Sequence, residues 1–365
     1  MMNSFAIFRL PHAETCTLIK GDAVVVPSLL SMGDQQGFLI APFIATEKEP
    51  IVLIQPEELQ VFRSSGVVDD NFAAKILFAT PKQLNSSYAS SSYAIDFSTF
   101  HKALTDGLYQ KLVLARCATI LNDSELTPIT LFHRACHLYP RMFVALVSTP
   151  QSGMWLIASP EILLEKLPDS RWRTIALAGT MRLRSDKADD EGQRLRWSAK
   201  NIQEQRYVAS YLSDVLRQFS NDVSEDGPRT VRAGHLVHLR SDFTFALNNK
   251  CTRVGELLNA LHPTPAVCGL PKAEAQDFII SHEKTPRLYY SGFMGPFNMN
   301  EKPNHKENEN VQPTTHLYVS LRCMQITGTA YQLYAGGGLL RESNEQQEWL
   351  ETEAKMDTMR HLLKP

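Results

Sequence analysis

The sequence predicts an α+β protein built from layered antiparallel sheet. Three observations predict it: short β-type runs dominate the chain, they follow one another in hairpin-like order, and the helical stretches fall in groups between them. A parallel doubly wound sheet would alternate strand with helix throughout.

Taken in order, the first strands are DAVVVPSLL (22–30), GFLIAPFIA (37–45), PIVLIQ (50–55) and KILFAT (75–80). The serine-rich stretch NSSYASSSYAIDFST (85–99) reads as a surface connection. It divides an N-terminal β-rich portion, 1–95, from the remainder, 96–365. Strand runs resume as KLVLARCATI (111–120), RMFVALVST (141–149), MWLIASPEILLEK (154–166) and RTIALAGT (173–180). Between Ile202 and Phe219, the residues Val208, Leu212, Val215 and Phe219 share one helical stripe. Three polar stretches, 185–192, 220–229 and 298–313, read as surface loops, the last of them inserted between the strand-like segments SGFMGPF and HLYVSLRCMQI. A final helix is predicted from Ser343, which forms an S-x-x-Q capping box with Gln346, to about Leu363.

Composition narrows the function classes. The 365 residues carry 37 Lys and Arg against 39 Asp and Glu, a formal charge of −2, so there is no bulk attraction for nucleic acid or anionic lipid. Hydrophobic residues make up 43%, enough to build a core and to exclude a disordered chain. Six scattered cysteines without a CxxC pair read as reduced and buried. The N-terminus lacks a secretion signal, and no window approaches the ~18 apolar residues of a membrane helix. A monomeric cytoplasmic enzyme, with neither nucleic acid nor membrane as partner, is expected.

Several residues could carry chemistry. Glu348, Glu351 and Lys355 fall at i, i+3 and i+7, on one face of the last helix, and Trp349 and Met356 lie on another stripe. Upstream, YAGGGLL (334–340) reads as a glycine turn that a ligand can approach closely, beside helix-start N–H groups that attract anions. An anion site joined to a carboxylate face suits a bridging Mg²⁺. In LHPTPAVCG (261–269) the two prolines stiffen the chain, and Ala266 and Cys268 are small enough to line a pocket. Arg322 sits inside an apolar strand run, where a substrate carboxylate or a structural ion pair would satisfy it. Lys111 and Glu161 are ionisable groups at the edges of apolar runs, either strand-end surface charges or cleft residues with pKa values moved toward neutrality.

In order along the chain, KLVLAR, ASPEILLE, LAGT, SAKNIQEQ, VHL, LHPTPAVCG, YYSGFMG, LRC and YAGGGLL…EWLETEAK resemble the chorismate-utilising enzymes, and within them the isochorismate synthases. The resemblance implies one large domain of two packed antiparallel sheets with helices outside and the site in a cleft. It implies Mg²⁺-dependent addition of water at ring C2 of chorismate with loss of the C4 hydroxyl, feeding menaquinone, siderophore or salicylate synthesis, menaquinone being the expected use. Lys111 would be the general base and Glu161 the general acid. Glu204 and Glu351, helped by Glu348, would bind Mg²⁺. Gly179, Thr180, Gly338 and Lys355 would surround the ring carboxylate. Tyr290, Arg322 and Gly336 would hold the enolpyruvyl carboxylate, with His238 near the ring and Ala266 in the pocket wall. Relatives that add ammonia lack a lysine at the position of Lys111, so water addition is favoured over amination. The family's usual KDxxEH reads KNIQEQ here, with Asn201 and Gln205 as departures. A salicylate synthase, which goes on to eliminate pyruvate, and a non-catalytic anion-binding protein are the competing readings.

Overall fold

Side-chain alternation decides the architecture. Along Gly37–Ala41, Phe38 and Ile40 join one buried cluster while Leu39 joins another, so the strand is covered on both faces. Repeated along the chain, this pattern yields two nine-stranded, wholly antiparallel sheets with helices on their outer faces in the computed structural model, which describes residues 4–63, 90–122, 126–182, 196–248, 254–300 and 313–364. The strand 75–80, the loop 185–192, Cys251 and most of the 298–313 insertion lie outside the described residues.

The strands are β1 (Ser4–Arg9), β2 (Thr15–Gly21), β3 (Ala23–Val26), β4 (Gly37–Ala41), β5 (Ile51–Ile54), β6 (Glu58–Arg63), β7 (Lys111–Leu121), β8 (Phe143–Thr149) and β9 (Gly153–Ser159). They continue with β10 (Ile162–Lys166), β11 (Trp172–Arg182), β12 (Ser224–Ala233), β13 (Leu236–Phe245), β14 (Gly269–Leu270), β15 (Phe293–Phe297), β16 (His316–Val319), β17 (Cys323–Ile326) and β18 (Ala330–Leu339). One sheet runs β14-β7-β18-β17-β9-β8-β1-β2-β6 and the other β12-β13-β11-β10-β16-β15-β4-β5-β3. Strands from the first 63 residues therefore extend both sheets, β1 against β8 and β4 against β15.

The two sheets share a core that includes Phe8, Phe38, Phe143, Trp155, Tyr318 and Tyr334, with Phe143 stacked on Tyr318 at 4.3 Å. Helices α3 (Ala199–Leu216) and α4 (Val254–Leu261) cover one outer face through Val208, Leu212, Leu257 and Leu261. Helices α2 (Pro128–Leu138) and α6 (Glu345–Leu363) cover the other through Leu131, Phe132, Met356 and Met359. Helices α1 (Ser90–Thr105) and α5 (Lys272–His282) close the edge near β7. No helix among the described residues is long and apolar enough to cross a membrane.

Four sequence expectations need correction. Residues 90–99 are helical: Tyr93, Phe97, Phe100 and Leu104 form a buried stripe that outweighs the serine composition. The polar segment from Ser224 is not a loop but the edge strand β12, exposed along nearly its whole length and held by backbone pairing to β13. The cap of α6 is Asn344, whose side chain accepts from Gln347 N at 3.2 Å. Ser343 instead accepts from Leu340 N and donates to Glu348. Finally, YAGGGLL is not a turn: Gly336, Gly337 and Gly338 lie within β18, paired to Ala115, Leu114 and Val113 of β7.

Candidate active site

Two apolar runs that read as single strands are each broken in the middle, and the break passes the chain from one sheet to the other. The run 154–166 divides at Ser159–Pro160–Glu161 between β9 and β10, and 316–326 divides at Ser320–Leu321–Arg322 between β16 and β17. The two crossings lie side by side, since β9 pairs with β17 and β10 with β16. Val319 N donates to Glu161 O at 3.0 Å and Ala158 N donates to Arg322 O at 3.0 Å. Arg322 has φ +47, a left-handed backbone unusual for a long side chain. The side chains of Glu161 and Arg322 therefore sit where the sheets are joined.

Beside the crossings is a narrow cleft, partly open to solvent. Its wall includes Glu161, Gly179, Thr180, Glu204, His238, Ala266, Tyr290, Arg322, Gly336, Gly338 and Lys355, so most of the residues singled out in the sequence meet here. Lys111, Glu348 and Glu351 do not line it: Lys111 and Glu348 approach the glycines at 338 and 337, and Glu351 accepts a hydrogen bond from Thr180 of the wall. Val267, next to Ala266, lines it too; Val113, Pro160, Leu177, Ala178, Leu321, Tyr334 and Ala335 complete the lining, and single positions of that kind carry little sequence signal.

The glycines let side chains reach the strand. A Cβ at position 338 would overlap Glu204 Oε1 and stand 2.9 Å from Lys111 Cε; one at 336 would stand 2.8 Å from the Tyr290 hydroxyl. Gly179 sits at a bulge of β11 with φ +68, where a Cβ would press on Asn201 at 3.2 Å. Gln205, next to Glu204 on α3, clamps the same strand: its Oε1 accepts from Ala178 N at 2.9 Å and its Nε2 donates to Ala176 O at 3.1 Å.

Glu161 is 2% exposed, and burial pushes its carboxyl up to about 7 against the opposing pull of Lys111 and Arg322. Lys111, wholly buried at the start of β7, has its pKa lowered by burial although Glu204 draws it the other way. Its ammonium lies 3.2 Å from Glu204 Oε1, in ion contact but without hydrogen-bond alignment. His238 is held neutral, its pKa pushed down to about 3 by burial and by Arg322. It donates from Nδ1 to Gly179 O at 3.0 Å, which leaves Nε2 to accept from Arg322 Nη2 at 2.9 Å. His238 thus aims the guanidinium. Tyr290, stacked on Tyr334 at 5.6 Å, has its hydroxyl pushed up by burial and stays protonated.

Each carboxylate of the expected metal set is taken up by a lysine: Glu204 by Lys111, Glu348 by Lys200, and Glu351 by Lys355 at 2.6 Å. Lys355 also donates to Gly336 O at 2.8 Å. Among the described residues, no three His, Cys, Asp or Glu side chains form a ready metal cage. The donor chemistry nonetheless fits a hard divalent cation. The charges of Glu204, Glu348 and Glu351 all act on the Lys200 ammonium, so the three lie within electrostatic reach of one point. Glu348 Oε2 is buried and accepts no hydrogen bond, and burial together with Glu351 raises its carboxyl. Burial works against ionising Glu351 too, yet Lys355 and Lys200 outweigh it and keep that pKa low. Lys200, the second residue of α3, opens the KNIQEQ segment that carries the family resemblance, but it was given no role in the sequence, because its partner Glu348 lies on a different helix.

A family model described as chorismate binding enzyme matches residues 4–364. Isochorismate synthase MenF of Escherichia coli (strain K12) is 29% identical over 264 residues, covering 72% of this chain and 58% of the relative. The salicylate biosynthesis isochorismate synthase of Pseudomonas aeruginosa is 31% identical over 265 residues, covering 72% of this chain and 52% of the relative. The matched part thus spans a little over half the length of these relatives. A solved structure of MenF, described as the menaquinone-specific isochorismate synthase from Escherichia coli, superposes with a TM-score of 0.76 at 22% identity, covering all of this chain and 89% of the other.

Proposed function

The chain belongs to the chorismate-binding enzymes, and from that premise we propose that it is an isochorismate synthase, adding water at C2 of chorismate as the C4 hydroxyl departs. The observation that carries this reading is a pair of buried groups displaced in opposite senses, Glu161 upward to about 7 and Lys111 downward. At neutral pH the first keeps a proton to give and the second is moved toward accepting one. The new bond is water oxygen to C2 and the broken bond is C4 to oxygen. Lys111 takes the proton that water loses, and Glu161 supplies the proton that lets the C4 oxygen leave as water, so atoms and charge balance.

Chorismate is a dianion, and the wall offers it cationic and N–H partners in two places. Arg322, aimed by His238, stands with Tyr290 and Gly336 for the enolpyruvyl carboxylate. Lys355, with Gly179, Thr180 and Gly338, stands for the ring carboxylate. Glu204, Glu348 and Glu351 would hold Mg²⁺, which supplies charge neutralisation and orientation for the ring carboxylate. Menaquinone synthesis is the use we propose for the product, on the likeness to MenF.

The test is incubation of the purified protein with chorismate, with and without Mg²⁺, and separation of products by HPLC. Mg²⁺-dependent isochorismate, absent with Lys111→Ala, is expected. Salicylate with pyruvate would overturn the product assignment, and no Mg²⁺-dependent product would overturn the enzymatic reading. In a strain from which the gene is deleted, menaquinone should disappear; loss of a siderophore alone would overturn the menaquinone assignment.

A further inference from the structure

Resting on the reading that Glu204, Glu348 and Glu351 are the metal carboxylates, the structure raises a question of charge. In the cluster each of three glutamates already faces a lysine, Lys111, Lys200 or Lys355. A divalent cation added to it would stand beside those ammonium groups in a largely buried place, which is costly unless one of them leaves. Only one of the three lysines is free to go. Lys111 is wholly enclosed, and Lys355 is tied to the Gly336 carbonyl as well as to Glu351. Lys200 sits in the first turn of α3, next to exposed Ala199, with its side chain 19% exposed and its ammonium bonded to Glu348 Oε1. The other oxygen of Glu348 is buried and accepts nothing, and Ser343 Oγ, donating at 2.8 Å, orients the carboxylate from behind. Glu348 is therefore a preformed acceptor whose present cation is a flexible lysine.

We propose that Lys200 is a tethered monovalent cation that fills the carboxylate cluster until a divalent cation displaces it, so that this lysine sets the metal concentration at which the protein loads. Lys200 touches neither substrate nor reacting atoms; it is a positioning residue that holds Glu348 in place in the metal-free protein and yields it on loading.

The probe is Mn²⁺ binding followed by electron paramagnetic resonance of the free ion, with no turnover involved. Lys200→Met keeps length and removes charge. It should tighten Mn²⁺ binding about tenfold or more, the scale of one charge-assisted hydrogen bond no longer competing. It should also lower the melting temperature of the metal-free protein, because Glu348 loses its partner, and Lys200→Arg should restore both properties toward wild type. In the unsubstituted protein, saturating Mg²⁺ should raise the rate at which an amine-reactive ester acetylates Lys200, read by mass spectrometry; this arm does not depend on how any variant folds. Unchanged or weaker Mn²⁺ binding in Lys200→Met, or Lys200 labelling indifferent to Mg²⁺, overturns the displacement if Glu204→Gln loses the ion. If Glu204→Gln binds Mn²⁺ as wild type does, the metal assignment beneath the proposal is what fails.

Discussion

Glu161 is 2% exposed and its carboxyl titrates at about 7 instead of 4.5, so the folded protein holds a proton that the unfolded chain releases. Below pH 4.5 the group is protonated in both states and its contribution to stability is fully present. As pH rises through 7 that contribution is lost, since either a buried carboxylate must form or a proton must be held against solution. At about 1.4 kcal/mol per pH unit, the displacement from 4.5 to about 7 corresponds to about 3 kcal/mol. Glu161→Gln is close in shape and does not ionise. Its stability relative to wild type should therefore climb by about 3 kcal/mol between pH 4 and pH 8, most steeply between the two pKa values. Urea unfolding of both proteins across that range measures the difference, in which groups other than Glu161 largely cancel. The same variant should lose about 10²–10⁴-fold in kcat for want of a proton donor. A stability difference that stays flat, or that falls as pH rises, would refute the reasoning that burial holds this carboxyl protonated.

Other substitutions test other parts of the site. Gly338→Ala places a methyl on Glu204 Oε1 while leaving the backbone region ordinary, so kcat should fall at least about tenfold with the melting temperature little changed. A melting temperature that collapses would locate the problem in the strand instead. Arg322→Lys keeps charge but loses the planar fork, and KM for chorismate should rise about 10- to 100-fold with a smaller change in kcat. Gln205→Ala leaves the Ala178 N–H and Ala176 carbonyl without their side-chain partner; urea unfolding should show a loss of about 2–4 kcal/mol.

Much of the fold is legible in short continuous apolar runs such as RTIALAGT, because strands covered on both faces are apolar enough to stand out. The same property hides the points that matter most. MWLIASPEILLEK and HLYVSLRCMQI are apolar on either side of a short interruption, SPE or SLR, which reads as a polar position within one strand as readily as a crossing between sheets, yet Glu161 and Arg322 sit at those breaks. Edge strand β12 was hidden by the opposite effect, since a strand held by backbone pairing alone needs no apolar residues. In the site, helical spacing placed Glu348, Glu351 and Lys355 on one face, and Glu351 and Lys355 do meet. The gathering of Gly179, His238 and Tyr290 came from family resemblance, because contacts across sheets leave no local period. Lys200 stands in the KNIQEQ motif, yet its pairing with Glu348 was not legible: it depends on where α3 starts relative to α6, a relation only the packed structure contains.

The most direct measurement of the central claim is the origin of the oxygen at C2. Chorismate turned over with Mg²⁺ in heavy-oxygen water should yield isochorismate carrying a single solvent-derived oxygen, located at C2 by mass spectrometry of fragments, with none formed by Lys111→Ala. Isochorismate without solvent oxygen would mean that the hydroxyl migrates within the substrate, and would contradict the roles assigned to Lys111 and Glu161.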